Sequence, residues 1–429
     1  MPATRTDREL SEKVRNFVRS GFVPHFEELR QTFPSRAIWR RLRELGSELW
    51  LDTGDMAEAE RLWTQEFTAL TTNNTLLNKE VQTGQYDELI ASAGAMLAPY
   101  GLSERRRMLE IGFILNARHA LRLVEKFDAY VSVEEHTDLA GNVEAAVEYA
   151  RRYHAICPER FFVKIPFTPA GLLATRRLAA EGITVNHTLG FSARQNYVIA
   201  RIGRPRFVNV FLGRLNSFVA DNGLGDGTYI GERATLASQA AVRLARRKHG
   251  APSRQIAASF RAGVQVRDLA GIDVMTMPPK VAGEFLDLNI APEALADRTG
   301  REYQPPLREG VDPKAVGLDT LWDIDEQLVG CLDALDRERL ERFTPEDLVG
   351  FFAAHGCADV LVRWTNEQVA TSRKEGKIPR LDNWREALAG GEIGLDALMN
   401  LAGLGSFAAD QKAMDDRVKA VLIKDPRRP

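Results

Sequence analysis

FFVKIPFTP, residues Phe161 to Pro169, is the stretch on which the reading of this chain turns. Its first six residues read as a buried strand, and a single lysine, Lys164, sits among Phe161, Phe162, Val163 and Ile165. Holding a charge in such surroundings is costly, so the amine is expected to be driven toward its neutral form. A neutral amine is the nucleophile that Schiff-base chemistry on a carbonyl needs. The competing reading is a lysine near a strand end whose ammonium snorkels to water.

Outward from this stretch, short apolar runs alternate with longer amphipathic ones between Glu48 and Leu288. Candidate strands are ELWLD (48–52), FTALTT (67–72), AYVSVE (129–134), FFVKIP (161–166), ITVNHT (183–188), RFVNVF (206–211), RQIAAS (254–259) and DVMTM (273–277). Runs such as GLLATRRLAAEG carry helical periodicity, and Gly182 and Gly250 fall where helix C-caps belong. Eight strands alternating with helices predict an α/β fold, a closed (β/α)8 barrel of the TIM type. An open doubly wound sheet is the alternative, but no GxGxxG follows the first strand. Two helices are expected between the second and third strands. The expected organisation is an N-terminal helical arm over 1–47, a barrel over 48–290, and a Pro-containing linker with a helical extension over 291–429.

Composition narrows the class. The 429 residues are 44% hydrophobic and 27% charged, with a formal net charge of −2, which gives no sign of a nucleic-acid or membrane partner. MPATRTDREL lacks the apolar core of a signal peptide, and Cys157, Cys331 and Cys357 form no CxxC pair. A cytoplasmic protein with reduced thiols and no zinc framework is expected.

In such barrels chemistry sits at the C-terminal strand ends. Those ends carry Asp52, Asn73, Glu134, Lys164, Asn186 and Thr188, then Asn209, Arg214, Ser259 and Arg261. Each alone could be a cap, turn or strand residue. Together they offer a nucleophile, two carboxylates, amides for hydroxyl groups and two guanidiniums, an inventory suited to a phosphorylated polyhydroxy carbonyl compound.

The motifs LDT (51–53), TTNNTL (71–76), VSVEEHTD (131–138), VKIP (163–166), TVNHTL (184–189), FLGR (211–214), ASFR (258–261) and LAGIDVMTMPP (269–279) resemble, in order and rough spacing, those of the transaldolases. The resemblance covers about residues 48–288, and GSFAADQ (405–411) is similar to the last helix of longer family members. It implies transfer of a dihydroxyacetone unit from a ketose phosphate to an aldose phosphate in the non-oxidative pentose phosphate pathway, through a lysine Schiff base and without metal or cofactor. By the same resemblance Lys164 forms the Schiff base, Glu134 and Thr188 move protons through a bound water, and Asp52 serves the substrate's C4 hydroxyl. Asn73 and Asn186 orient hydroxyls, and Arg214, Ser259 and Arg261 hold phosphate. Partners are then small sugar phosphates, with a homodimer left open.

Three positions depart from the family pattern. Asn74 replaces a usual proline, Asn209 a usual serine, and His187 a usual apolar residue. Strand alternation turns His187 away from the lumen, so packing is its expected role. A free aldolase of the same superfamily is the nearest rival. The resemblance leads one to expect Gln at 134 and Tyr at 211 there, whereas this chain has Glu134 and Phe211. A non-catalytic barrel with a partner-binding tail is the rival from another class.

Overall fold

The computed structural model describes residues 5–26 and 32–424, so parts of the expected N-terminal arm (1–4, 27–31) and the last five residues of the extension lie outside the described residues. Eight strands run in chain order: β1 (Glu48–Asp52), β2 (Phe67–Thr71), β3 (Tyr130–Glu134), β4 (Phe161–Pro166), β5 (Val185–Thr188), β6 (Phe207–Phe211), β7 (Arg254–Ala258) and β8 (Val274–Met277). Neighbours pair in parallel, and β1 closes on β8 to complete a (β/α)8 TIM barrel.

The period-two alternation of the strands builds two environments. Leu49, Leu51, Val131, Val133, Val163 and Ile165 join the core under the surrounding helices. Their neighbours in sequence, Trp50 and Phe162, meet Phe207 in the lumen, with the Trp50 ring centroid 5.9 Å from Phe162 and 4.8 Å from Phe207. Below this aromatic layer Glu48 pairs with Arg254 and accepts hydrogen bonds from Trp50 Nε1 and Thr68 Oγ1, both at 2.9 Å. A packed, ion-paired floor leaves only the upper end of the lumen open to solvent.

Differences from the sequence expectation are local. β5 starts at Val185 rather than at residue 183, because the Ile183 N–H bonds to Leu178 O at 3.0 Å and so finishes the preceding helix, Pro169–Ala180. Three helices, not two, separate β2 from β3: Asn74–Gln82, Asp87–Leu97 and Glu104–Phe127. The first of them starts because Asn73 caps it, its Oδ1 accepting from Leu76 N at 2.8 Å.

Outside the barrel, the helix Arg5–Arg19 presents Leu10, Val14 and Val18 at four-residue spacing and packs on the helices Glu104–Phe127 and Val143–Ile156. The C-terminal side adds the helices Glu326–Leu335, Pro345–Ala354, Asn366–Glu375 and Arg385–Ala389, then Leu395–Lys424. This last helix starts ten residues before the GSFAADQ motif and runs through it. A buried ion cluster anchors it. Arg194 donates from Nε and Nη2 to Asp396 at 2.9 and 2.8 Å and from Nη1 to Asp359 at 2.6 Å. Asn400 Nδ2 then donates to Phe167 O and Leu189 O at 3.1 and 3.0 Å, laying the helix over the chain that leaves β4 and β5. No helix among the described residues is long and apolar enough to cross a membrane.

Candidate active site

Register places the polar strand ends in one layer. Glu134 on β3 lies beside Lys164 on β4, which lies beside Asn186 on β5. Phe162 faces the lumen, so Lys164, two residues on, faces it as well. The lysine is 4% exposed; its Nζ donates to Thr72 O at 3.2 Å and lies 3.7 Å from Glu134 Oε1. Glu134 is 3% exposed, and its other oxygen, Oε2, accepts the Asn74 backbone N–H at 2.8 Å. Burial raises the Glu134 carboxyl above the ordinary carboxylate range, while Lys164 and the Asn74 N–H pull against it. Asp52 behaves alike. Burial raises it, and Lys164 and the Thr71 hydroxyl, 2.7 Å from Oδ1, oppose the rise.

A cavity of about 170 Å³ opens at the mouth. Of the residues expected from sequence it brings together Asp52, Asn73, Lys164, Asn186, Asn209, Phe211, Arg214, Ser259 and Arg261. Glu134 does not line it; the residue lines a second cavity, of about 250 Å³, which also touches Glu135, Leu189 and Ser372. Thr188 lines neither and is fully buried, its Oγ1 without a hydrogen-bond partner. Asn186 Oδ1, Asn209 Oδ1 and Arg214 Nη1 are likewise buried and unpartnered. Buried polar atoms left unpaired cost free energy, and these four belong to residues in or just after β5 and β6. Asn73 has a double task, since its Oδ1 is spent on the helix cap while the residue also lines the cavity.

Arg214 and Arg261 bring two guanidiniums to this cavity. Burial and the neighbouring Arg261 lower Arg214 to about 10, still a full cation at neutral pH. Its guanidinium stands 5.5 Å from the ring centroids of both Phe211 and Phe407. Ser259 holds a left-handed φ of 65°, a strained conformation for a residue with a Cβ. Gly213 permits this crowding: a Cβ there would lie 2.2 Å from Ser259 O and 2.7 Å from Arg261 Cγ. His187 points away from the lumen, as alternation predicts. Its Nδ1 pairs with Thr175 Oγ1 at 2.9 Å, and burial lowers it to about 3, so it is a neutral packing residue.

Two residues of the site were not expected from the strand ends. Phe407, on the helix Leu395–Lys424, lines both cavities, and its ring centroid lies 5.9 Å from Lys164 Nζ. The GSFAADQ motif held a signal for it. Lys377, in the segment after the helix Asn366–Glu375, also lines the first cavity, and nothing in its surrounding sequence marks it.

Buried lysine, paired carboxylates and a cationic rim at the C-terminal strand ends define the class, a TIM-barrel enzyme with its reaction centre in the barrel mouth. Within that class the chain belongs to the transaldolase/fructose-6-phosphate aldolase family, whose family model matches residues 49–315. The transaldolase of Chlamydia pneumoniae is 29% identical over 278 residues, spanning 62% of this chain and 78% of that protein. The transaldolase of Xanthomonas euvesicatoria pv. vesicatoria is 30% identical over 246 residues, 56% of this chain and 74% of its own length. That of Chlamydia trachomatis serovar D is 30% identical over 253 residues, with 56% and 75% covered.

Proposed function

We propose that this chain is a transaldolase that carries a dihydroxyacetone unit from a ketose phosphate, sedoheptulose 7-phosphate or fructose 6-phosphate, to an aldose phosphate, glyceraldehyde 3-phosphate or erythrose 4-phosphate. The observation that carries the reading is Lys164, buried beside Glu134 and opening into the cavity that also holds Asp52, Arg214 and Arg261. In this reaction the Lys164 amine adds to the C2 carbonyl. Glu134, with Thr188 holding a water, moves the protons that let the carbinolamine lose water to give an iminium. Asp52 takes the C4 hydroxyl proton, the C3–C4 bond breaks, and its electron pair enters the iminium to form an enamine. The aldose phosphate departs. A second aldose phosphate then accepts the enamine carbon, and the steps run backwards.

Asn73, Asn186 and Asn209 offer amides to the substrate hydroxyls, while Arg214, Ser259 and Arg261 hold the phosphate. A grip on that distant group orients the reacting carbons. Phe211 lines the cavity and brings no hydroxyl to position a hydrolytic water, which favours transfer over release of free dihydroxyacetone. The test is borohydride reduction in the presence of fructose 6-phosphate, followed by peptide mapping. A stable adduct on Lys164 is expected, and an adduct elsewhere or none would overturn the proposal. Free dihydroxyacetone is then quantified with and without erythrose 4-phosphate. Rapid turnover without acceptor would identify a free aldolase instead.

A further inference from the structure

Lys377 stands outside the segment that the family model matches, yet it lines the same cavity as Arg214, Ser259 and Arg261. Its position is built. Gly376 takes φ 80° and ψ −136°, a backbone conformation essentially reserved for glycine, and so turns the chain sharply at the end of the helix Asn366–Glu375. The Glu375 carboxylate then clamps the segment, accepting from Trp384 Nε1 at 2.9 Å, Asn383 Nδ2 at 2.5 Å and Arg380 N at 3.1 Å. Asn222 holds the far side, donating to Pro379 O at 3.0 Å and accepting from Leu381 N at 2.8 Å. Asn222 directly follows the helix Leu212–Asp221 that carries Arg214, so the loop bearing Lys377 and the buried arginine are fastened to one support.

The clamp uses the carboxylate next to the loop and leaves Lys377 without one. Among the described residues no ion pair or hydrogen bond engages the Lys377 side chain, and it is exposed toward the mouth. Arg214, which also lines this cavity, keeps a buried donor, Nη1, without a hydrogen-bond partner among the described residues. A lysine with no local partner, on an anchored loop that lines the same cavity as two arginines, is a third cation for a doubly charged group.

We propose that Lys377 is a specificity-determining residue that contacts the phosphate end of the substrate and raises the preference for phosphorylated over neutral sugars. The proposal rests on the transaldolase reading for the substrate's identity, but not for the anion contact itself. Two measurements separate these. Inorganic phosphate is titrated into wild type, Lys377→Ala, Lys377→Glu, Lys377→Arg and Arg261→Ala by calorimetry, which needs no turnover. KM and kcat are then measured for a phosphorylated and an unphosphorylated aldose acceptor. Lys377→Ala should weaken phosphate binding about fivefold, Lys377→Glu more, and Lys377→Arg should restore most of it. KM for the phosphorylated acceptor should rise in parallel, by a larger factor than any change for the neutral acceptor. Equal phosphate affinity in wild type, Lys377→Ala and Lys377→Glu, alongside loss in Arg261→Ala, would overturn the role of Lys377 and leave the reaction assignment standing. Wild type that binds no phosphate would also overturn it. Absence of a borohydride adduct would sink the reaction assignment, with the phosphate titration still deciding the anion contact.

Discussion

Asn74→Pro tests how the carboxylate beside Lys164 is held. Asn74 is the first residue of the helix Asn74–Gln82, where proline is well tolerated because the N–H makes no intrahelical bond and φ is already near the proline value. Asn73 before it is extended, φ −156° and ψ 170°, which proline also accepts in its predecessor. The substitution therefore keeps the backbone and deletes the N–H that Glu134 Oε2 accepts at 2.8 Å. A hydrogen bond to a charged group contributes about 1.5–3 kcal/mol. A neutral carboxyl still accepts weakly, so about 1.5 kcal/mol of that favours the ionised form, equivalent to about one pH unit. The sign follows directly. Burial already raises Glu134, the Asn74 N–H opposes the rise, and deleting the N–H raises it further. The acid limb of kcat/KM, which reports the free enzyme, should move up by about one pH unit in Asn74→Pro. Asn74→Ala is the control, because it keeps the N–H and loses only the amide, whose Nδ2 donates to Glu135 O at 3.1 Å. Asp52 and Glu134 influence each other, so the limb belongs to the pair and the difference between variants is the quantity to compare. An unmoved limb in Asn74→Pro, or an equal shift in Asn74→Ala, would refute the reasoning.

Lys164→Ala should abolish the borohydride adduct and transfer while near-UV circular dichroism stays native; retained transfer would remove the lysine from the chemistry. Arg261→Ala should lower kcat/KM for phosphorylated acceptors about ten- to a hundredfold, from a charge-assisted contact of about 1.5–3 kcal/mol, with neutral acceptors little changed. An equal loss for both acceptor types would exclude it from the phosphate site. Phe211→Tyr, more so when combined with Glu134→Gln, should increase acceptor-independent release of dihydroxyacetone, and an unaltered ratio of release to transfer would count against the water-exclusion argument. Asp396→Ala leaves the buried Arg194 with Asp359 alone and should cost about 3 kcal/mol, read as a lower urea midpoint. An unchanged midpoint would show that the cluster does not anchor the C-terminal helix.

The barrel was legible because its strands repeat one physical constraint. A lumen narrow enough to be filled by side chains forces alternation, so locating Phe162 inside and Val163 outside also locates Lys164. Strand limits were less legible, since Ile183 is apolar enough for a strand but its N–H is taken by the helix before it. The extra helix at Asn74 was hidden by a polar start, TTNNTL, which reads as loop until Asn73 is seen to cap it. Asn74 illustrates a different limit. Its side chain marked it as a departure from the family pattern, whereas its contribution to the site comes from a backbone N–H, which no side-chain identity except proline announces. Lys377 was illegible for a third reason. Its place beside Arg214 depends on ties between Asn222 and residues 379 and 381, and such contacts across well over a hundred residues leave no periodic trace.

The C-terminal helix changes how the mouth works. Phe407 stands between the two cavities, so the space holding Asp52, Lys164 and the arginines is divided from the one bordering Glu134. In the proposed reaction this division separates two needs that conflict. The enamine has to persist until an aldose phosphate arrives, which calls for little loose water around the reacting carbons. Proton movement at the carbinolamine needs a water that can exchange protons with Glu134. Glu134 Oε1 lies 3.7 Å from Lys164 Nζ, near enough to serve the nitrogen while the carbons of the proposed substrate lie in the first cavity. The fully buried Thr188 hydroxyl has no hydrogen-bond partner among the described residues and is, in the proposed reaction, the group that holds such a water. Phe407 and Lys377 both belong to the extension, so the extension contributes to the lining of the site: Phe407 borders both cavities and Lys377 adds a cation to the first.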